Sequence, residues 1–196
     1  MRLAGVILAG GRALRMGGGD KGLRLLGGRA MIAHVIDRLA PQVAFCAISA
    51  NGDPARFAAF GLPVLADGVA GRPGPLAGVL AGLDHAAGAG MDAIVTAPAD
   101  APFLPRDLAG RLAAACTGGP VLARGPDGRA EPVFALWPVA LRGALRAALA
   151  EGMRGVGDVA ARHGAAHAGF DDARAFFNVN TPADLARAEA LLAAPG

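Results

Sequence analysis

The sequence predicts an α/β fold: a doubly wound, mostly parallel sheet with helices on both faces. Two observations carry this reading. Short apolar runs alternate with alanine-rich segments of helical period, in a β-α-β-α order. Polar residues directly follow several of the apolar runs, and in such sheets ligands bind at the carboxyl ends of the strands.

The elements can be justified in order. Residues 3–8 are apolar and read as a strand, and residues 30–39 have helical spacing. Residues 43–49 read as a strand and 54–60 as a short helix. Residues 62–66 form the next strand, and 75–87 a helix with proline in its first turn. A strand at 93–97 precedes a helix at 105–115. Residues 120–123 and 133–137 read as strands, the second near a sheet edge because of Pro132. Helices follow at 139–150 and 156–162, and a strand at 176–179. Thr181-Pro182-Ala183-Asp184 resembles a capping box and opens a last helix ending near residue 193. With no internal repeat, linker or low-complexity tail, residues 1–196 are read as one domain.

Composition excludes several classes. The longest stretch without a charged residue is 14 residues and holds Pro41, Gln42 and Asn51, too short to span a bilayer. No signal-peptide pattern opens the chain, so a cytoplasmic, membrane-free protein is expected. Net charge is +3, but the arginines are spread out and aromatic residues are 5%, which speaks against nucleic acid and for a small anionic ligand. Cys46 and Cys116 lack ligand spacing and read as buried thiols. His163 and His167 have metal-like spacing, but Gly164 breaks the helix that would align them.

Residues at strand ends remain. Gly10 to Lys21 form a glycine-rich loop after the first strand, holding Arg12, Arg15 and Asp20. Glycines let backbone N–H groups turn toward an anion. The spacing is neither the dinucleotide fingerprint nor the P-loop. Lys21 is the only lysine among 19 basic residues, and a compact ammonium fits a phosphate as a point charge where a planar guanidinium does not. Asp100 follows the fourth strand between Pro98 and Pro102, a placement that suits a Mg²⁺ ligand, with a turn cap as the structural alternative. Asp67 and Asn51 also stand at strand ends and read equally as turn residues. Asn178 and Asn180 alternate around Val179, which puts both on one side of an extended segment; Asn180 could serve only in capping. No nucleophile–base pair stands out, which points to chemistry by positioning and charge neutralisation.

The stretches "LAGGRALRMGGGDKGL", "PGPLAGVLAGL", "PADAPFLP" and "NVNTPADL" together resemble the molybdenum cofactor guanylyltransferase family, in the family's order and across nearly the whole chain. The resemblance implies a Rossmann-like fold of the nucleotide-diphospho-sugar transferase type. It implies transfer of GMP from GTP to the terminal phosphate of molybdenum-molybdopterin, with Mg²⁺ and release of pyrophosphate. Residues 1–105 would mainly bind GTP and residues 106–196 mainly molybdopterin. Leu8, Ala9 and Gly10 would contact the nucleotide through the backbone. Lys21 and Arg15 would neutralise its phosphates, Asn51 and Asp67 would sit on the guanosine side, and Asp100 would hold Mg²⁺ and touch GTP. Asn178, Asn180 and Arg154 would face molybdopterin. Transient contacts with other molybdenum cofactor assembly proteins are implied as well. Related cytidylyltransferases carry "LAAG" where this chain has "LAGG", so Gly10 marks the preference for the larger base. Carbonyls near the "GPLAG" turn would accept from guanine. The chain departs from the family's pattern at Glu131, where histidine or another polar group is expected. The alternatives are a cytidylyl- or sugar-nucleotidyltransferase and a non-catalytic nucleotide-binding regulator.

Overall fold

The computed structural model describes residues 1–10, 19–68 and 74–194. Strand β1 (Leu3–Leu8) lies between β4 (Phe45–Ser49) and β6 (Ala93–Pro98), parallel to both. Leu8 is level with Ser49 on one side and Pro98 on the other, so the three strands end together. β5 (Val64–Leu65) extends the parallel part beyond β4. Beyond β6, β8 (Ala130–Pro138) runs antiparallel to β6 and to β7 (Val121–Arg124), and β9 (Ala166–Gly169) pairs parallel with β7. The described residues thus form a seven-stranded sheet in the order β5-β4-β1-β6-β8-β7-β9. The strand order reverses at β1, which makes the crevice above β4, β1 and β6 the topological switch point.

Alternation along β1 sends Val6 to one face and Ile7 to the other. Helices α1 (Met31–Leu39) and α3 (Leu108–Ala114) cover the Ile7 face through Ile32, Val35, Leu39 and Leu112. Helices α2 (Pro75–Gly88), α4 (Arg142–Ala150) and α5 (Val156–Arg162) cover the Val6 face with Leu76, Leu83, Leu145 and Val159 around the buried Trp137. Helix α6 (Pro182–Ala193) packs Ala188 near Leu26 of the small hairpin of β2 (Leu25–Leu26) and β3 (Arg29–Ala30).

Helix α2 sits unusually close to the sheet because of two glycines one turn apart. A Cβ at Gly82 would stand 2.6 Å from a Val6 methyl, and one at Gly78 would stand 2.6 Å from the Ser49 hydroxyl. This gives the "PGPLAGVLAGL" stretch a packing reason. It also fixes where the amino end of α2 opens, at Gly74 (φ +71°) and Pro75, on the carboxyl edge of the strands.

Three expectations change. The strand holding Pro132 is not near an edge: β8 lies between β6 and β7, and Pro132 falls within the irregular register between Ala135 and Glu131, where the ladder to β7 shifts. Residues 176–179 are not a strand: Phe176 ends a turn, and Val179 makes one backbone bond, to the Asp100 carbonyl (2.9 Å), instead of joining a ladder. The seventh strand is instead β9, whose sequence Ala-His-Ala-Gly has little strand character of its own and is recruited by pairing with β7. Residues 54–60 are a 3₁₀ helix capped by Asp53, whose side chain accepts from the Ala55 N–H (2.9 Å).

Because Gly82 has no free space, Gly82→Val is expected to destabilise the protein by about 1–3 kcal/mol through overpacking, read as a lower urea midpoint with an unchanged slope.

Candidate active site

The level ends of β1, β4 and β6 bring the predicted residues to one edge. The chain returns from the glycine-rich loop at Asp20 and enters a single 3₁₀ turn, Lys21–Leu23. That turn is pressed onto the β6 end: a Cβ at Gly22 would stand 2.7 Å from the Ala99 Cβ. Only glycine permits this approach, and it carries Lys21 to Asp100. The Lys21 Nζ lies 3.5 Å from Asp100 Oδ2 and donates to Asn180 Oδ1 at 2.5 Å. Both charged side chains are largely buried, Lys21 at 21% and Asp100 at 16% exposure.

Burial pushes the Asp100 carboxyl above its ordinary pKa, while the Lys21 charge pulls it back. The net upward direction means that the carboxylate is held against its preference for water.

Asn180 is placed by its neighbours. The Val179 N–H holds the segment to Asp100, and the Thr181–Asp184 capping box fixes the start of α6. The Asn180 N–H also donates to Asp184 Oδ2 at 3.0 Å. The capping role foreseen for this region is real, but it falls on Thr181 and Asp184 and leaves the Asn180 side chain free to reach Lys21. Asn178 Oδ1 is buried and has no hydrogen-bond donor among the described residues.

A second cluster stands at the ends of β4 and β5. Asn51 Nδ2 donates to Asp67 Oδ2 at 2.8 Å, and Asn51 Oδ1 accepts from the Asp67 N–H at 3.0 Å. These residues therefore form a mutual pair and are not independent turn formers. At β1, the Ala9 N–H donates to the Ser49 carbonyl and the Ala99 N–H to the Leu8 carbonyl. Gly10 is exposed, and a Cβ there would meet nothing within 4 Å.

Other candidates stand apart. Arg154 is exposed and folds back on the end of α4, donating to the Leu149 and Met153 carbonyls at 2.9 and 2.8 Å. No contact among the described residues ties it to Asn178 or Asn180. Its own carbonyl instead flanks Gly74, 3.7 Å from where a Cβ would stand. Arg12 and Arg15 lie outside the described residues. Cys46 is buried as expected, with its thiol pushed up to about 12, and Cys116 is partly buried. Glu131, half-buried, has its carboxyl raised by burial and by Asp127.

Sequence reasoning missed Arg56. From the 3₁₀ helix after β4, its Nε donates to Asp20 Oδ2 at 2.5 Å and its Nη2 to the Asn51 carbonyl at 2.5 Å, while Nη1 donates to the Asp53 carbonyl. No motif marks an arginine in that position.

A largely buried lysine–aspartate pair at the switch point of a mostly parallel sheet defines an α/β protein with a site suited to an anionic ligand. The comparisons narrow this. Residues 5–168 match the family model described as "MobA-like NTP transferase domain", and the chain belongs to that family. It is 58% identical to a molybdenum cofactor guanylyltransferase of Cereibacter sphaeroides over 192 residues, covering 98% of both chains. It is 54% identical to one of Rhodopseudomonas palustris, covering 95% of this chain and 90% of the relative. Its fold is similar to that of the molybdopterin-guanine dinucleotide biosynthesis protein A of Archaeoglobus fulgidus, with a TM-score of 0.75 at 23% identity and 98% of both chains covered. Among the described residues no helix is long and apolar enough to cross a membrane.

The strained burial of Asp100 has a measurable consequence. Asp100→Asn removes the buried charge while keeping the shape. The sign of its pH dependence follows from linkage. A carboxyl whose folded pKa is raised favours folding below its unfolded pKa, and loses that contribution as pH rises toward the folded value. In metal-free buffer the urea midpoint of the Asn variant, relative to the parent protein, should therefore rise as pH rises through the carboxylate range and fall back as pH falls.

Proposed function

We propose that this chain transfers GMP from GTP to the terminal phosphate of molybdenum-molybdopterin, releasing pyrophosphate. The observation that supports this best is the meeting of Lys21, Asp100 and Asn180 at the end of β6. It joins a residue of the glycine-rich loop to one from the far end of the chain, where donor and acceptor phosphates would meet. The naming of the relatives supports the choice of substrates.

The acceptor phosphate is already ionised and needs no general base. One of its oxygens attacks the α-phosphorus, the bond from that phosphorus to the bridging oxygen of the β-phosphate breaks, and pyrophosphate carries away the electron pair. Lys21 stands where an ammonium can absorb charge developing on the phosphate oxygens. Arg15 acts from the same loop. Asn51 and Asp67 hold the guanosine side, with Leu8, Ala9 and Gly10 along the nucleotide. The open space at Gly10 suits the larger base. Asn178 and Asn180 face the acceptor.

The residues here fit a hard cation: Asp100 offers a partly buried carboxylate, and Asn178, the neighbour of the Val179 that bonds the Asp100 carbonyl, has a buried amide oxygen with no donor among the described residues. Asp100 would hold Mg²⁺, which when bound supplies charge neutralisation on phosphate oxygens. Among the described residues there is no group of three or more His, Cys, Asp or Glu that could replace it. Residues 1–105 form the GTP half and 106–196 the molybdopterin half. Arg154 serves the latter half only if it leaves the end of α4. The reaction belongs to the cytoplasm, where GTP is drawn from, with transient contacts to other cofactor assembly proteins.

Pyrophosphate release in the presence of molybdenum-molybdopterin, run with GTP, CTP and UTP, tests the reading. Turnover with GTP is expected; turnover with CTP or UTP alone, or nucleotide binding without release, overturns it.

In the same assay Lys21→Ala and Asp100→Ala should each lower kcat by about 10²-fold or more, with unchanged far-UV circular dichroism. Lys21→Arg should also be impaired, because the guanidinium cannot occupy the ammonium's place between Asn180 and Asp100.

A further inference from the structure

We infer that Arg56 is a positioning residue that couples the base-binding pair Asn51–Asp67 to the phosphate-binding Lys21. The inference rests on the reading of this edge as a nucleotide site. Its basis is the way one guanidinium is used. Nε is committed to the Asp20 carboxylate, the residue immediately before Lys21, at 2.5 Å. Nη2 is committed to the carbonyl of Asn51 at 2.5 Å, and Nη1 to the carbonyl of Asp53. The Arg56 and Asp20 side chains are both about three-quarters buried, at 24% and 22% exposure.

The arginine itself is fixed. Its guanidinium carbon lies 4.6 Å from the ring centroid of Phe57, which is fully buried. Asn51 in turn is bonded to Asp67 through both its amide nitrogen and its oxygen. A continuous polar chain therefore runs from Asp67 through Asn51, Arg56 and Asp20 to the turn that presents Lys21. The planar fork of arginine supplies donors in three directions at once; a lysine in its place could bridge at most part of that set.

Such a strap sets the distance between the base-side pair and the phosphate-side ammonium. Its loss should weaken the nucleotide more than the acceptor, because the backbone around Asn178 and Asn180 is held by the capping box and the Val179–Asp100 bond, and the Lys21–Asn180 hydrogen bond links the two sides. A residue that only stabilised the fold would disturb both substrates together.

The test uses the full chain in the pyrophosphate-release assay, varying GTP and molybdenum-molybdopterin in turn. Arg56→Gln is expected to raise the KM for GTP about tenfold and leave the acceptor KM within about twofold. Arg56→Lys, which keeps a charge for Asp20, should recover part of that loss. The double variant Asp20→Asn/Arg56→Gln should be no worse than the worse single variant, since both act through one contact. An unchanged GTP KM, a parallel rise of both KM values, or additive losses in the double variant overturn the inference. If Arg56→Gln does not fold, Arg56→Lys decides alone: a selective rise in GTP KM supports the strap, and an unchanged GTP KM overturns it. Wild-type protein without GTP-dependent turnover overturns the functional reading and the inference with it. Wild-type turnover with an unperturbed Arg56→Gln overturns only the inference.

Discussion

The site depends on one ion pair kept mostly out of water. Asp100 sits on the β6 end at a depth that raises its pKa, and Lys21 is the cation that makes this burial tolerable. Everything around the pair serves to bring these two side chains together. The equal ends of β1 and β6 set the height of the edge, and Gly22 lets the lysine-bearing turn touch Ala99. Asn180 closes the arrangement from the far end of the sequence. Polar groups held in partial burial at a strand edge are characteristic of ligand sites, and on the proposed reading the ligand is an anionic phosphate, which an ammonium suits.

Much of this was legible in the sequence because it is local. Each of Asn51, Asp67 and Asp100 follows an apolar run by one or two residues, so identifying the strand also identifies the edge. The lone lysine in an arginine-rich chain singled out Lys21 without any knowledge of Asp100. The parallel core and its flanking helices were legible for the same reason, through periodicity and capping residues such as Pro75, Thr181 and Asp184. The family resemblance then assigned roles that strand ends alone left open.

What was not legible is long-range. Residues 166–169 have no strand pattern because their pairing with β7, not their own propensity, makes them a strand. Residues 176–179 look like one and are not, because Phe176 is drawn into an aromatic cluster with Phe134 and Phe170 and Val179 bonds to a loop. Arg56 was invisible because it acts on residues 36, 5 and 3 positions away through geometry that no spacing rule encodes. Arg154 shows the converse. Its type and position suited an anion, yet the carbonyls of Leu149 and Met153, at and just beyond the end of α4, offered it a nearer partner.

These cases explain why the chain uses its one lysine where it does. Arg56 sits where three acceptors must be reached from one side chain, a task that suits a planar fork. Lys21 faces a different demand. It lies 3.5 Å from an Asp100 oxygen and donates to the Asn180 amide oxygen at 2.5 Å, on a turn that Gly22 presses against Ala99. On the proposed reading it must also reach a phosphate oxygen. An ammonium has three donors about one atom and can share them among three oxygens, whereas a guanidinium spreads five donors over a rigid plane. Charge alone would be satisfied by either residue; three acceptors converging on one point favour lysine.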